Sequence, residues 1–129
     1  MFTSSRGDWK TPRSLMSEIE AEFGKLFDVS DRHENSFDAL KDEWVNPWYC
    51  NPPYGRELPK WTVRMKGRGV ALLPSRTDTI WFHRDILPKA MEIRFLKGRV
   101  HFDDAGPAPF PSMIVVFGIF LNKEVEHEH

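Results

Sequence analysis

A chain of 129 residues with net charge -1, 40% hydrophobic and 29% charged residues and a single cysteine fits one folded domain. That balance is too apolar for a disordered chain, and Cys50 alone makes neither an internal disulfide nor a multi-cysteine zinc site, which suits a reducing cytosol. No apolar run approaches the roughly 20 residues of a membrane-spanning helix, and no signal-peptide core is expected near the start. The near-neutral charge means that any nucleic-acid contact must come from a local basic face.

Thr11-Pro12 marks a helix start, because proline suits the first helical position. Leu15, Ile19 and Phe23 then recur every four residues as one apolar stripe, and Gly24 caps it. Lys25 to Val29 reads as a short strand with Asp28 near its end, and residues 31–42 as polar loop or weak helix. Trp48 to Cys50 is a second strand, stopped by Pro52-Pro53. Leu58 to Met65 reads as a helix with Trp61 and Met65 on one face. Gly69 to Leu73 reads as a strand stopped by Pro74-Ser75, and Thr79 to Leu87 as a helix through Ile80, His83 and Leu87. Met91 to Leu96 and Met113 to Leu121 complete the strands. Residues 1–121 form one expected domain, with 122–129 a polar tail in which His127 and His129 are solvated.

Strands alternating with helices predict an α/β fold around a largely parallel sheet. Ligands of such sheets sit beyond the carboxyl ends of the strands. Asp28, Asn51 and Pro74-Ser75 are thereby expected along one edge.

The run Asn51-Pro52-Pro53-Tyr54, followed by Gly55, carries the chemistry. Two prolines fix φ twice, remove two backbone donors and push the residue before each into extended geometry. The product is a stiff bend that offers carbonyl oxygens without competing N–H groups. Asn51 adds a side-chain acceptor at the rim, and Tyr54 adds a flat face with a polar tip. This set fits an exocyclic amino group on a flat base: two oxygens accept its N–H groups while the ring stacks on it. The same run also reads as a plain turn between strand and loop.

Other residues admit two readings each. Asp28 and Asp38 are acceptors for a cofactor, or ordinary loop acids. Trp9 covers a sulfonium cation or packs in the core. Arg76 and Asp78 follow a strand end. Lys60, Arg64, Lys66 and Arg68 form one basic cluster, and Lys97, Arg99 and His101 a second, each a phosphate contact or a solvated face. His83 and His101 read as ordinary hydrogen-bonded histidines, Cys50 as a small buried hydrophobe, and no metal site is expected.

Several segments recur together in a recognisable order. They are Trp9-Lys10-Thr11-Pro12, Phe23-Gly24 with Phe27-Asp28, Asp38-Ala39-Leu40 with Trp44, and Cys50 to Gly55. Downstream come Leu73-Pro74-Ser75-Arg76-Thr77-Asp78-Thr79 with Trp81-Phe82-His83, then Lys97-Gly98-Arg99 with Phe102, then Phe110-Pro111-Ser112. The chain resembles, from Trp9 to about Phe117, the small Dam-like DNA N6-adenine methyltransferases of phages and prophages. The resemblance implies an S-adenosylmethionine-dependent transferase that methylates a flipped-out adenine of double-stranded DNA in the cytoplasm of a bacterial host. It implies a reduced Rossmann-like sheet with flanking helices, with Asn51, Pro52, Pro53 and Tyr54 holding the adenine and Thr11, Pro12 and Asp28 near the cofactor. Trp9 and Asp38 join that cofactor set as candidates, and Lys60, Arg64, Arg76 and Arg99 are the candidate DNA contacts.

Larger methyltransferases carry a Gly-rich loop after their first strand, but here Asp28 is followed by Val29-Ser30-Asp31-Arg32-His33. The stretch from Asp28 to Asn51 is also too short for two further βα units. These departures keep open a catalytically inactive DNA-binding remnant. The tetrapeptide taken alone also admits cytosine N4, RNA or a protein Gln as acceptor. A domain this small stands to gain from dimerising.

Overall fold

The computed structural model describes residues 10–30, 37–103 and 105–120. Helix α1 spans Arg13–Phe23, starting one residue later than Pro12 suggests. Pro12 is its N-cap, and the Pro12 carbonyl accepts the first helical bond from Met16 N–H at 3.0 Å. Gly24 ends the helix at φ 86°, which costs glycine nothing. Three strands follow: β1 (Phe27–Asp28), β2 (Trp48–Cys50) and β3 (Gly69–Pro74), with α2 (Leu58–Thr62) between β2 and β3. After a π-helical turn at Phe82–Ile86 come β4 (Glu92–Phe95), β5 (His101–Phe102), β6 (Gly106–Pro107) and β7 (Ser112–Phe117).

The main sheet has the order β1-β2-β3-β7-β4. β1, β2 and β3 are parallel, with Phe27, Trp48 and Gly69 in register. β7 runs antiparallel to both β3 and β4, so β4 shares the direction of the first three strands. The α/β expectation holds, but the sheet is mixed rather than uniformly parallel.

Alternation along the strands builds two apolar layers. Trp48, Cys50, Ala71 and Leu73 face one side, where Trp61, Met65, Phe82 and Ile86 cover them. Tyr49, Val70, Leu72 and Ile114 face the other, under Ile19 of α1 and Phe102 and Phe110 of the β5–β7 region. Every residue of β3 and β7 is buried, which explains their continuous apolar sequence. Gly69 has a specific reason to be glycine. A Cβ there would lie 2.1 Å from the ring of Trp48, its register partner, which is 0% exposed.

Several boundaries differ from the periodicity. The helix read over Leu58–Met65 closes at Thr62, because Arg64 and Met65 N–H groups bond to carbonyls three residues back. The helix read over Thr79–Leu87 is present but π-helical at Phe82–Ile86. Leu87 N–H bonds to Phe82, five residues back, at 2.8 Å. Ile80 is 78% and Leu87 52% exposed. Asp85 is buried, and the Thr62 hydroxyl donates to it at 2.7 Å. The strand read to Leu121 stops at Phe117, because Gly118 turns the chain at φ 78°. The β5–β6 pair was not foreseen: two residues per strand give no period to detect.

Candidate active site

Parallel register brings the carboxyl ends of β1, β2 and β3 to one edge of the sheet, and with them Asp28, Asn51 and Pro74-Ser75. Ser30 links the first two. Its N–H and hydroxyl donate to Asp28 Oδ1 at 2.9 and 2.5 Å, and Asn51 N–H donates to the Ser30 hydroxyl at 3.1 Å.

Asn51 is 6% exposed, and Pro52 and Pro53 are buried beside it. The expectation of an open rim oxygen is therefore corrected. The Tyr54 hydroxyl donates to Asn51 Oδ1 at 2.7 Å, and Asn51 Nδ2 donates to Thr11 Oγ1 at 3.2 Å. A buried amide needs partners for both ends, and the proline pair bends the chain so that Tyr54 returns to serve one of them. Thr11 Oγ1 also lies 2.6 Å from the Tyr49 hydroxyl. Tyr54 is half-buried and packs nearly perpendicular to Phe110, with ring centres 4.9 Å apart. The Arg76 guanidinium sits 5.5 Å from the Phe110 ring centre.

Burial keeps two phenols and a thiol of the site protonated. Burial pushes the Tyr49 phenol well above its ordinary value, against the opposing pull of the Thr11 hydrogen bond. Burial also raises the Tyr54 phenol. Burial, and then the Asp28 carboxylate, push the Cys50 thiol up. Cys50 is thus a packed thiol rather than a nucleophile.

The other candidates scatter. Trp9 lies outside the described residues. Pro12 is buried with its carbonyl in α1. Asp38 is exposed and accepts Leu40 N–H at 3.0 Å in a local turn; among the described residues no hydrogen bond joins it to the Thr11–Asn51 group. Lys60 pairs with Glu57 at 3.5 Å. Arg64 donates to the Leu40 and Asp42 carbonyls at 3.1 and 2.6 Å, so its guanidinium ties the turn after α2 to a loop. Arg99 donates to the Ala108 carbonyl at 3.3 Å. With Lys97 and His101 it lines a cleft of about 300 Å³ that also touches Pro12 at the start of α1. His83 bonds the Thr77 carbonyl at 2.8 Å. Among the described residues no three His, Cys, Asp or Glu side chains are grouped to hold a metal, and no helix is long and apolar enough to cross a membrane.

Three residues of this site were missed in the sequence: Ser30, Tyr49 and Phe110. Tyr49 carried a usable signal, since it stands two residues before Asn51 and so shares its side of the sheet. Phe110 carried only its place in the Phe-Pro-Ser segment.

No curated protein and no solved structure gives a significant match. A family model described as DNA N-6-adenine-methyltransferase (Dam) matches residues 1–117, a stretch that includes Thr11, Asp28, the Asn51–Tyr54 corner and Phe110. The chain belongs to the DNA N-6-adenine-methyltransferase (Dam) family.

Proposed function

We propose that the protein transfers a methyl group from S-adenosylmethionine to N6 of an adenine swung out of double-stranded DNA. One observation carries this reading. Asn51 follows the central parallel strand, its amide is held at both ends, and the paired prolines and Tyr54 stand beside it.

Extruding a base costs a few kcal/mol, and an aromatic face is the usual repayment. Tyr54 stacks on the adenine. Asn51 Oδ1 and the Pro52 carbonyl accept the two N6 hydrogens, and the Tyr54 hydroxyl shares or leaves Oδ1 as the base arrives. Two preorganised acceptors favour a tetrahedral nitrogen and stabilise the positive charge it gains. The nitrogen loses its proton to water afterwards, so no strong base is required. Positioning supplies most of the rate.

The donor chemistry of the sheet edge fits the cofactor. Asp28 ends β1 and is linked to Asn51 through Ser30, at the sheet edge where ribose hydroxyls and an ammonium group would find an acceptor. Asp28, Thr11 and Pro12 would hold S-adenosylmethionine, with Trp9 and Asp38 as further contacts. When bound it supplies an electrophilic methyl group. We read the sheet as a reduced Rossmann-like one, residues 1–121 as one domain, and the bacterial cytoplasm as the place of action.

DNA phosphates fall to Arg76 and Arg99 in this account. Arg76 flanks the Phe110–Tyr54 pair, and Arg99 lines the cleft at the start of α1. Lys60 lies on α2, which covers the opposite face of the sheet, and Arg64 follows just after it. They contribute less.

A second reading, an inactive DNA-binding remnant, draws on β1, an edge strand of only two residues. One experiment separates the two. Wild type and Asn51→Ala are incubated with adenine-containing DNA and methyl-labelled S-adenosylmethionine, and cofactor binding is followed by calorimetry. Label in adenine that is lost in the variant supports the transferase. DNA binding with neither label nor heat supports the remnant. Label in cytosine, RNA or protein moves the activity to another amino acceptor.

A further inference from the structure

Alternation along β2 puts Tyr49 and the residue after the strand, Asn51, on the same side of the sheet. Thr11, just ahead of α1, sits over that side. Its Oγ1 receives Asn51 Nδ2 at 3.2 Å and lies 2.6 Å from the Tyr49 hydroxyl. A chain of four side chains therefore runs from Tyr54 through Asn51 and Thr11 to Tyr49, tying the corner to a residue 40 positions upstream.

The amide of an asparagine has an oxygen end and a nitrogen end, and turning it over exchanges acceptor for donor. With Nδ2 on Thr11, the oxygen faces Tyr54 and the base position. Turned over, the same chain would need Thr11 to donate to Asn51, and an NH2 group would meet the base. Only the first arrangement accepts an amino group. The second suits a carbonyl.

We propose that Thr11 donates its one hydroxyl hydrogen to Tyr49, leaves only lone pairs for Asn51, and is thereby a positioning residue that fixes the direction of the Asn51 amide and selects a base carrying an amino group over one carrying a keto group. The amino-group part of this claim rests on the adenine reading. The positioning part stands on the hydrogen bonds alone. Thr11 Oγ1 is then engaged by two side chains of the acceptor pocket, a role it holds in addition to the proposed cofactor contact.

The test compares Thr11→Val, which keeps the shape and loses the acceptor, with Thr11→Ser, which restores it. Tyr49→Phe provides a second variant that keeps its ring in the core. The first readout is the side-chain amide signal of Asn51 by NMR, in the whole protein without ligand. It should shift, and its hydrogens exchange faster, in Thr11→Val but not in Thr11→Ser. The second readout is methyl transfer. Loss of one oriented hydrogen bond should lower kcat about tenfold in Thr11→Val with KM changed less than about threefold, and Thr11→Ser should recover it. An unmoved Asn51 signal in both Thr11→Val and Tyr49→Phe overturns the proposal. So does a Thr11→Ser variant as impaired as Thr11→Val. A wild type that transfers no methyl group, yet shows the NMR shift in Thr11→Val, sinks the adenine reading and leaves the positioning role standing.

Discussion

The hydroxyl of Tyr54 lies 2.7 Å from the side-chain oxygen of Asn51, three residues before it. In the proposed reaction, the ring that stacks on the base thus also holds the amide that accepts from it. The two roles separate by mutation. Tyr54→Phe keeps the ring and should retain methyl transfer within about threefold. Tyr54→Ala removes a stacking face worth roughly 1–3 kcal/mol, a loss of about 5- to 150-fold in kcat/KM. Steady-state methylation of duplex DNA measures both. Equal damage from the two variants would contradict a stacking role.

In the proposed reading Arg76 and Arg99 meet phosphate, whereas Arg64 directs its guanidinium to two backbone carbonyls. Arg76→Ala or Arg99→Ala should weaken DNA binding on any sequence and reduce the salt slope by about one. Arg64→Ala should lower thermal stability and leave that slope intact. Binding titrations across a salt series, with melting curves, distinguish these outcomes.

Gly69→Ala should destabilise the fold by about 3 kcal/mol, the upper end of the usual cost of overpacking. The added Cβ would fall 2.1 Å from the Trp48 ring, which is fully buried and anchored by its indole N–H to the Lys66 carbonyl at 2.8 Å. Denaturant unfolding of the variant measures it, and a loss below about 1 kcal/mol would mean that β2 and β3 are not in this register.

Asp85 and Thr62 form the polar contact beneath α2, at 1% and 0% exposure. Burial pushes the Asp85 carboxyl up, but the Arg84 guanidinium and the Thr62 hydroxyl outweigh it and hold the group below the ordinary carboxylate range. A depressed pKa means stability that is present above the unfolded-state value of about 3.9 and lost as pH falls through the lower folded value. Wild type should therefore lose stability steeply below about pH 4. Asp85→Asn should show a shallower slope there, at lower stability near neutral pH. Melting temperatures from pH 2.5 to 7 test this, and parallel slopes would refute it.

The strand ends and the proline bend were readable in the chain because each has a local cause. Prolines stop β2 beyond Cys50 and Pro74 closes β3, while Gly24 ends α1. Cys50 reads as a small buried hydrophobe from its residue type, and the structure buries it in one apolar layer. The rest depended on distant contacts. Nothing near Ile80 signals a π turn, and Asp85 within that turn bonds Thr62, 23 residues upstream. Nothing near Asn51 indicates that Thr11 and Tyr54 would occupy its two amide ends. A two-acceptor bend is a property of four residues, whereas its burial is a property of the packed sheet edge.

The most direct measurement is a crystal structure of the protein with an adenine-containing duplex and a non-transferable S-adenosylmethionine analogue. The account predicts an extruded adenine whose N6 lies about 3 Å from Asn51 Oδ1 and from the Pro52 carbonyl, with the Tyr54 ring against its face. An adenine still stacked in the duplex, or an Asn51 oxygen that bonds only Tyr54 while the base is held elsewhere, would contradict it.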